Sequence, residues 1–192
     1  MWGKNLQCAA LRIFQNAGFA SAESASKVSL LLGVFKLAMT FIAVGTVDKL
    51  GRRPLLLGGV GVLTVSLFVL SAVQGAITSG NDSMLFSYAS VGTLLLYVGA
   101  YQVSFGPIAW LMVGEVFPAQ VRSAAVGCAT LTNFGTNFIV SLVLPSIQNT
   151  YGQEGTYKIF GLLGLLALLS IYYTTPETKG KTLEEIEAEL ED

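Results

Sequence analysis

The sequence predicts an all-α, polytopic membrane protein of about five transmembrane helices. Three observations predict it. The 192 residues are 53% hydrophobic and only 12% charged, where a soluble domain carries about 25% charge. The mean hydropathy is +0.64. Apolar runs of membrane-spanning length recur, separated by short polar or charged turns. The net charge of −1 gives no general attraction to nucleic acid. The chain contains no histidine, which excludes His catalysis and His metal ligation. Its two cysteines, Cys8 and Cys128, fit no metal or disulfide framework. No metal or other cofactor is expected.

Residues 1–27 are mixed, with Lys4, Arg12, Glu23 and Lys27 spread through them. No stretch here is long enough to cross about 30 Å of hydrocarbon, so the segment reads as a loop or interfacial helix. The run from Leu6 to Phe14 carries Arg12 and lacks a clean cleavage site, so it does not read as a signal peptide. The first span covers residues 28–47, with Lys36 near its middle. An ionisable residue at that depth is costly and is expected to face a bundle interior or cavity; snorkelling to an interface is the alternative. Asp48-Lys49-Leu50-Gly51-Arg52-Arg53-Pro54 follows as a charged tight turn, and its cations mark a cytoplasmic face.

The second span covers residues 55–77, where Gly58, Gly59 and Gly61 allow close helix approach. A polar turn at 79–83 without Lys or Arg leads to a third span over 84–113, too long for a straight crossing and so tilted or kinked. The kink is expected at Gly106-Pro107, because proline lacks an N–H and disfavours helical geometry before it. In a membrane such a break survives where it faces protein or an aqueous cavity. Trp110 follows one turn later. Glu115, Pro118 and Arg122 then close the span in a charged turn.

The fourth span, 123–147, is unusually polar. Asn133 and Asn137 lie four residues apart on one face, with Phe134 beside them. Such amides can tie helices together. They also describe a sugar-binding wall, since amides offer donors and acceptors to hydroxyls and a ring stacks on the apolar face of a sugar. Residues 148–156 read as a polar loop, and 159–175 as the fifth span. After Pro176-Glu177-Thr178-Lys179-Gly180, Thr182 and Glu185 form a capping box opening a short acidic helix. Lys49, Arg52, Arg53, Arg122, Lys179 and Lys181 fall on one side, while Lys158 stands alone on the other after the first span. The positive-inside rule puts the C-terminus in the cytoplasm. The expected organisation is a non-cytoplasmic segment at 1–27, a transmembrane bundle at 28–175 and a cytoplasmic tail helix at 176–192.

Four motifs in this order and spacing are strongly specific: the Asp48–Pro54 run, Gly106-Pro107-Ile108-Ala109-Trp110, Glu115-Val116-Phe117-Pro118 with Arg122, and Pro176–Gly180. On them, from about Leu11 to Leu190, the chain resembles the C-terminal half of a major facilitator superfamily sugar porter. The wording is most like xylose–proton symporters and plant plastid or vacuolar glucose transporters. The resemblance implies that the spans are the family's eighth to twelfth, a partial fold. Residues 11–19 then resemble the outer end of span seven; the body of that span and the N-terminal half are expected elsewhere.

The resemblance implies transport of a monosaccharide, hexose or pentose, by alternating access, with a proton as partner in symporters. It makes Trp110, Asn133, Asn137, Phe134, Tyr101, Gln102 and Lys36 candidates for sugar contact. Lys36 stands where many relatives carry asparagine. Asp48, Arg52, Arg53, Glu115 and Arg122, with Glu177 beyond the last span, match a cytoplasmic gating charge network. Clustered ion pairs at helix ends are reversible and can bias a two-state equilibrium. Expected partners are the lipid bilayer, a sugar, a proton, and the N-terminal half or a full-length relative. The membrane is plasma membrane, vacuole or plastid. The alternative is a non-transporting membrane protein that associates with a full-length transporter. An enzyme is not expected, because no HExxH, GxSxG or paired membrane carboxylates occur.

Overall fold

The computed structural model describes residues 22–79, 84–117 and 120–175. Every element among them is helical: α1 (Ala22–Leu50), α2 (Arg52–Thr78), α3 (Met84–Val103), α4 (Phe105–Val116) and α5 (Arg122–Thr174). The 53-residue α5 is two helical arms meeting at Gly152, whose φ of 69° and ψ of −175° lie outside the helical region. A positive φ costs glycine nothing, so the chain turns there without leaving a loop. By length and apolar composition four stretches qualify to cross a membrane, the longest being the two-armed α5.

Three expectations are corrected. The seven-residue charged turn at 48–54 shrinks to Gly51 alone, with α1 running on to Leu50 and α2 starting at Arg52. Gly51 has φ 95°, again where only glycine is unstrained. Pro54 fits in the first turn of α2, where its missing N–H has no helical partner to lose. The polar loop at 148–156 is instead helical on both sides of Gly152, and Pro145 sits inside the first arm. Residues 22–27 are the opening turns of α1 rather than a separate segment. The capping box at Thr182–Glu185 lies outside the described residues.

Helix α2 is the centre of the bundle. It runs antiparallel to the second arm of α5, as four contacts of rising and falling number show. Arg53 reaches Tyr172, Thr64 faces Gly164, Phe68 faces Gly161, and Ser71 bonds Glu154. The glycines matter here: a Cβ at Gly164 would lie 2.8 Å from Thr64 Oγ1, and one at Gly161 3.1 Å from the Phe68 ring. Close approach of this kind supplies van der Waals contact where lipid gives no hydrophobic drive between helices. Helix α1 lies parallel to α3, with Phe35 and Met39 against Gly99 and Thr40 against Gln102. One apolar core cluster lies at one end, inside Gly51, from Val47, Leu56, Val60 and Ile108, with Leu55, Met112, Leu168 and Ile171 against it.

Candidate functional site

The third span breaks at Ser104, three residues before Pro107. Ser104 has φ −115° and ψ −86° and separates α3 from α4. The expected site of the kink was Gly106-Pro107; the displacement has a simple cause. In a continuous helix residue 107 would donate to the carbonyl of Val103, and proline has no proton to give. The distortion therefore appears one turn upstream of the ring. The ladder is intact on both sides, with Ser104 N donating to Ala100 O at 3.1 Å and Ile108 N to Ser104 O at 3.1 Å. The Ser104 hydroxyl also donates to Ala100 O, at 2.7 Å. Gly106 lets the Tyr101 carbonyl fold close, since a Cβ there would sit 3.2 Å from that oxygen. The Tyr101 and Phe105 rings flank the break, 6.1 Å apart and tilted by 44°.

Beyond the break, Ile108 is fully buried in the core with Met112 one turn on. Trp110 is two residues from Ile108 and so points nearly the opposite way. It is 46% exposed, on the face of α4 turned from the packed core.

Asn133, Phe134 and Asn137 lie on the first arm of α5. Asn137 is buried, and its Nδ2 donates to Asn133 O at 2.7 Å and to Asn133 Oδ1 at 3.2 Å. The pair is thus locked within one helix. Asn133 and Phe134 are exposed. Gln102 belongs to a second grouping, where its Nε2 donates to Thr40 Oγ1 at 2.9 Å and Thr40 donates to the Lys36 carbonyl at 2.9 Å. Among the described residues, no hydrogen bond or ring contact joins Trp110 to Asn133, Phe134 or Asn137, or joins the two polar groupings.

At the charged end, Arg53 Nη2 donates to the Tyr172 carbonyl at 2.9 Å, and its guanidinium carbon stands 5.9 Å from the Tyr172 ring centroid. Tyr172 is in the last turn of α5, where carbonyls lack helical partners. Arg53 therefore clasps the end of the last span. Arg122 Nε donates to Phe117 O at 3.2 Å, bracing the turn between α4 and α5. Arg52 is half-buried at the start of α2. The side chains of Asp48 and Glu115, and all of Glu177, lie outside the described residues. Sequence reasoning missed Thr40 as the partner of Gln102 and Tyr172 as the partner of Arg53. Thr40 had a weak signal, four residues after Lys36 on the same face. Tyr172, 119 positions from Arg53, had none.

A bundle of apolar helices with a broken span, buried amides and cations gathered at one end defines a multi-pass membrane protein. The chain belongs to the sugar transporter family: the model described as "Sugar (and other) transporter" matches residues 8–190. It is 48% identical over 93% of its length to the Arabidopsis thaliana D-xylose-proton symporter-like 3, chloroplastic, of which it covers 31%. It is 33% identical to the arabinose-proton symporter of Escherichia coli K12, over 93% of this chain and 38% of that one. Among solved structures it is similar to the major facilitator proton:xylose symporter XylE bound to 6-bromo-6-deoxy-D-glucose. The TM-score is 0.82 at 32% identity, covering 96% of this chain and 38% of XylE. The inward-open form of XylE from E. coli gives 0.74. The chain thus spans about a third of the length of the curated relatives it matches. The partial major facilitator fold and the sugar porter resemblance agree with these matches, and the family is one of transport proteins rather than enzymes.

Proposed function

We propose that this chain forms the C-terminal bundle of a monosaccharide porter that works by alternating access, taking a hexose or pentose with a proton as the coupled partner. The observation that carries the reading is the broken α3–α4 span. Beyond it Trp110 lies on the face of α4 turned from the packed core, in a chain matched almost end to end by the sugar transporter family. In this reading Trp110 and Phe134 stack on the sugar, Asn133 and Gln102 bond its hydroxyls, and Tyr101 lines the approach. Asn137 acts by holding Asn133. Asp48, Arg52, Glu115, Arg122 and Glu177 form the inner gate, Arg53 anchors the last span beside it, and the C-terminus is cytoplasmic. The chloroplastic name of one relative supports a plastid membrane.

Alternating access rocks one bundle against another around a midplane site. The 192 residues by themselves are therefore proposed to be inactive, and to need an N-terminal bundle, either continuous with this chain or from a full-length relative. Uptake of labelled xylose and glucose into proteoliposomes tests this. The chain alone should give none, and the chain with an N-terminal bundle should give saturable uptake. Uptake by the chain alone would contradict the two-bundle mechanism. No uptake by the pair would favour a non-transporting protein that binds a relative.

A further inference from the structure

Lys36 is the single Asp, Glu, Lys or Arg within the five apolar spans (28–47, 55–77, 84–113, 123–147 and 159–175). No carboxylate on any of these spans can serve as its counter-ion. Its position on α1 is specific. Leu32, Ala43 and Val47 are the buried apolar residues of that helix. At 100° per residue, Leu32, Lys36, Ala43 and Val47 fall within an arc of about 60°. Lys36 therefore lies inside the inward stripe, while Val34, Leu37, Phe41 and Val44 are exposed on other sides. The same helix packs on α3 through Phe35, Met39 and Thr40. Among the described residues the Lys36 ammonium makes no hydrogen bond or ion pair; only its carbonyl is used, by Thr40.

The facing group on α3 has a defined polarity. Gln102 spends its Nε2 on Thr40. Its Oε1 has no partner among the described residues and can only accept. The α1–α3 face thus offers one cation and one acceptor in an apolar bundle. Within this bundle, a neutral sugar matches the acceptor through a hydroxyl but brings no anion to the ammonium. A charge at this depth calls for pairing or water, and a charge-assisted bond to an anionic oxygen is the strong way to provide it.

We propose that this face takes a monosaccharide bearing an anionic group, a sugar acid or sugar phosphate, with the anionic oxygens on Lys36 and a hydroxyl on Gln102 Oε1. The inference rests on the porter reading above and names its substrate class. The test is equilibrium binding of labelled glucuronate, glucose 6-phosphate, glucose and inorganic phosphate to the full chain in nanodiscs, with and without the N-terminal bundle. At least one acidic sugar should bind roughly tenfold tighter than glucose. Lys36→Gln should erase that preference, and Lys36→Arg should keep it. Glucuronate against glucose 6-phosphate separates the carboxylate from the phosphate source. Equal affinity for glucose and both acidic sugars, a preference that survives Lys36→Gln, or phosphate alone binding as tightly as the sugar phosphate would each overturn the proposal. Glucose binding would still stand in those cases. Failure of every sugar to bind, in either format, would remove the porter reading and this inference with it. Matching thermal unfolding of Lys36→Gln and the parent separates loss of binding from loss of fold.

Discussion

Gly59→Ala should damage the bundle through a single contact. A Cβ at Gly59 would lie 1.7 Å from Ser104 Oγ and 2.1 Å from Ser104 Cβ. Carbon atoms rest at roughly 3.5 Å, so α2 and the break would have to part by about 1.4 Å. Ser104 is buried, its Cβ is bonded directly to the backbone, and its hydroxyl is held by Ala100 O. No flexible side-chain end is available to yield. Alanine gains about 1 kcal/mol of helix propensity over glycine, and overpacking costs about 1–3 kcal/mol. A parting of this size puts the overpacking at the upper end, about 3 kcal/mol, so a net loss of about 2 kcal/mol is expected, a fall of roughly 4–8 °C in the unfolding midpoint. The assay is thermal unfolding in detergent followed by Trp110 emission, in a Trp2→Phe background so that Trp110 is the single indole. Adding Ser104→Gly should restore most of the loss, because it removes both clashing atoms. Adding Ser104→Ala should not, because the Cβ remains. Equal stability of Gly59→Ala and the parent, or equal rescue by both second substitutions, would refute the close seating of the break on α2.

Other expectations follow from the same geometry. Arg53→Ala should lower the unfolding midpoint by the equivalent of about 1–2 kcal/mol, through loss of a charged hydrogen bond to the Tyr172 carbonyl. Tyr172→Leu keeps the carbonyl and loses the ring, so it should cost less, about 0.5–1 kcal/mol. Gly164→Val should destabilise by about 1–3 kcal/mol by striking Thr64, and a smaller loss in a Thr64→Ala background would locate the clash. In the assembled transporter, Asn137→Ala should leave uptake present but roughly fivefold weaker in sugar affinity, the loss of one orienting hydrogen bond on Asn133. Competition binding reads that change.

That the chain folds into long apolar helices was legible because apolar run length is a local property. The positions of breaks were legible only in kind. Gly106-Pro107 announced a break in the third span, but the distortion belongs to Ser104, next to the Val103 carbonyl that the proline's missing proton would have reached. The polar composition of 148–156 suggested a loop, yet polar residues at a membrane surface can stay helical, and one glycine turns the chain. Asn133 and Asn137 were legible as a pair because they are four apart on one helix; that Asn137 spends its amide on Asn133 was not. Contacts between distant segments were out of reach. Arg53 has a cationic sequence context that suggests a gate, and only the packing of α2 against the second arm of α5 brings it to Tyr172. Lys36 was legible as an anomaly, but its place in the buried stripe needed the burial of Leu32, Ala43 and Val47.

The central claim is that this chain supplies the sugar-facing half of a two-bundle porter through Trp110. The most direct measurement is counterflow of labelled xylose or glucose by the chain assembled with an N-terminal bundle, comparing the parent with Trp110→Ala and Trp110→Phe. The account predicts saturable counterflow in the parent, at least a tenfold loss in Trp110→Ala, equivalent to about 1.4 kcal/mol or more of lost stacking, and partial activity in Trp110→Phe. Undiminished counterflow in Trp110→Ala would contradict it.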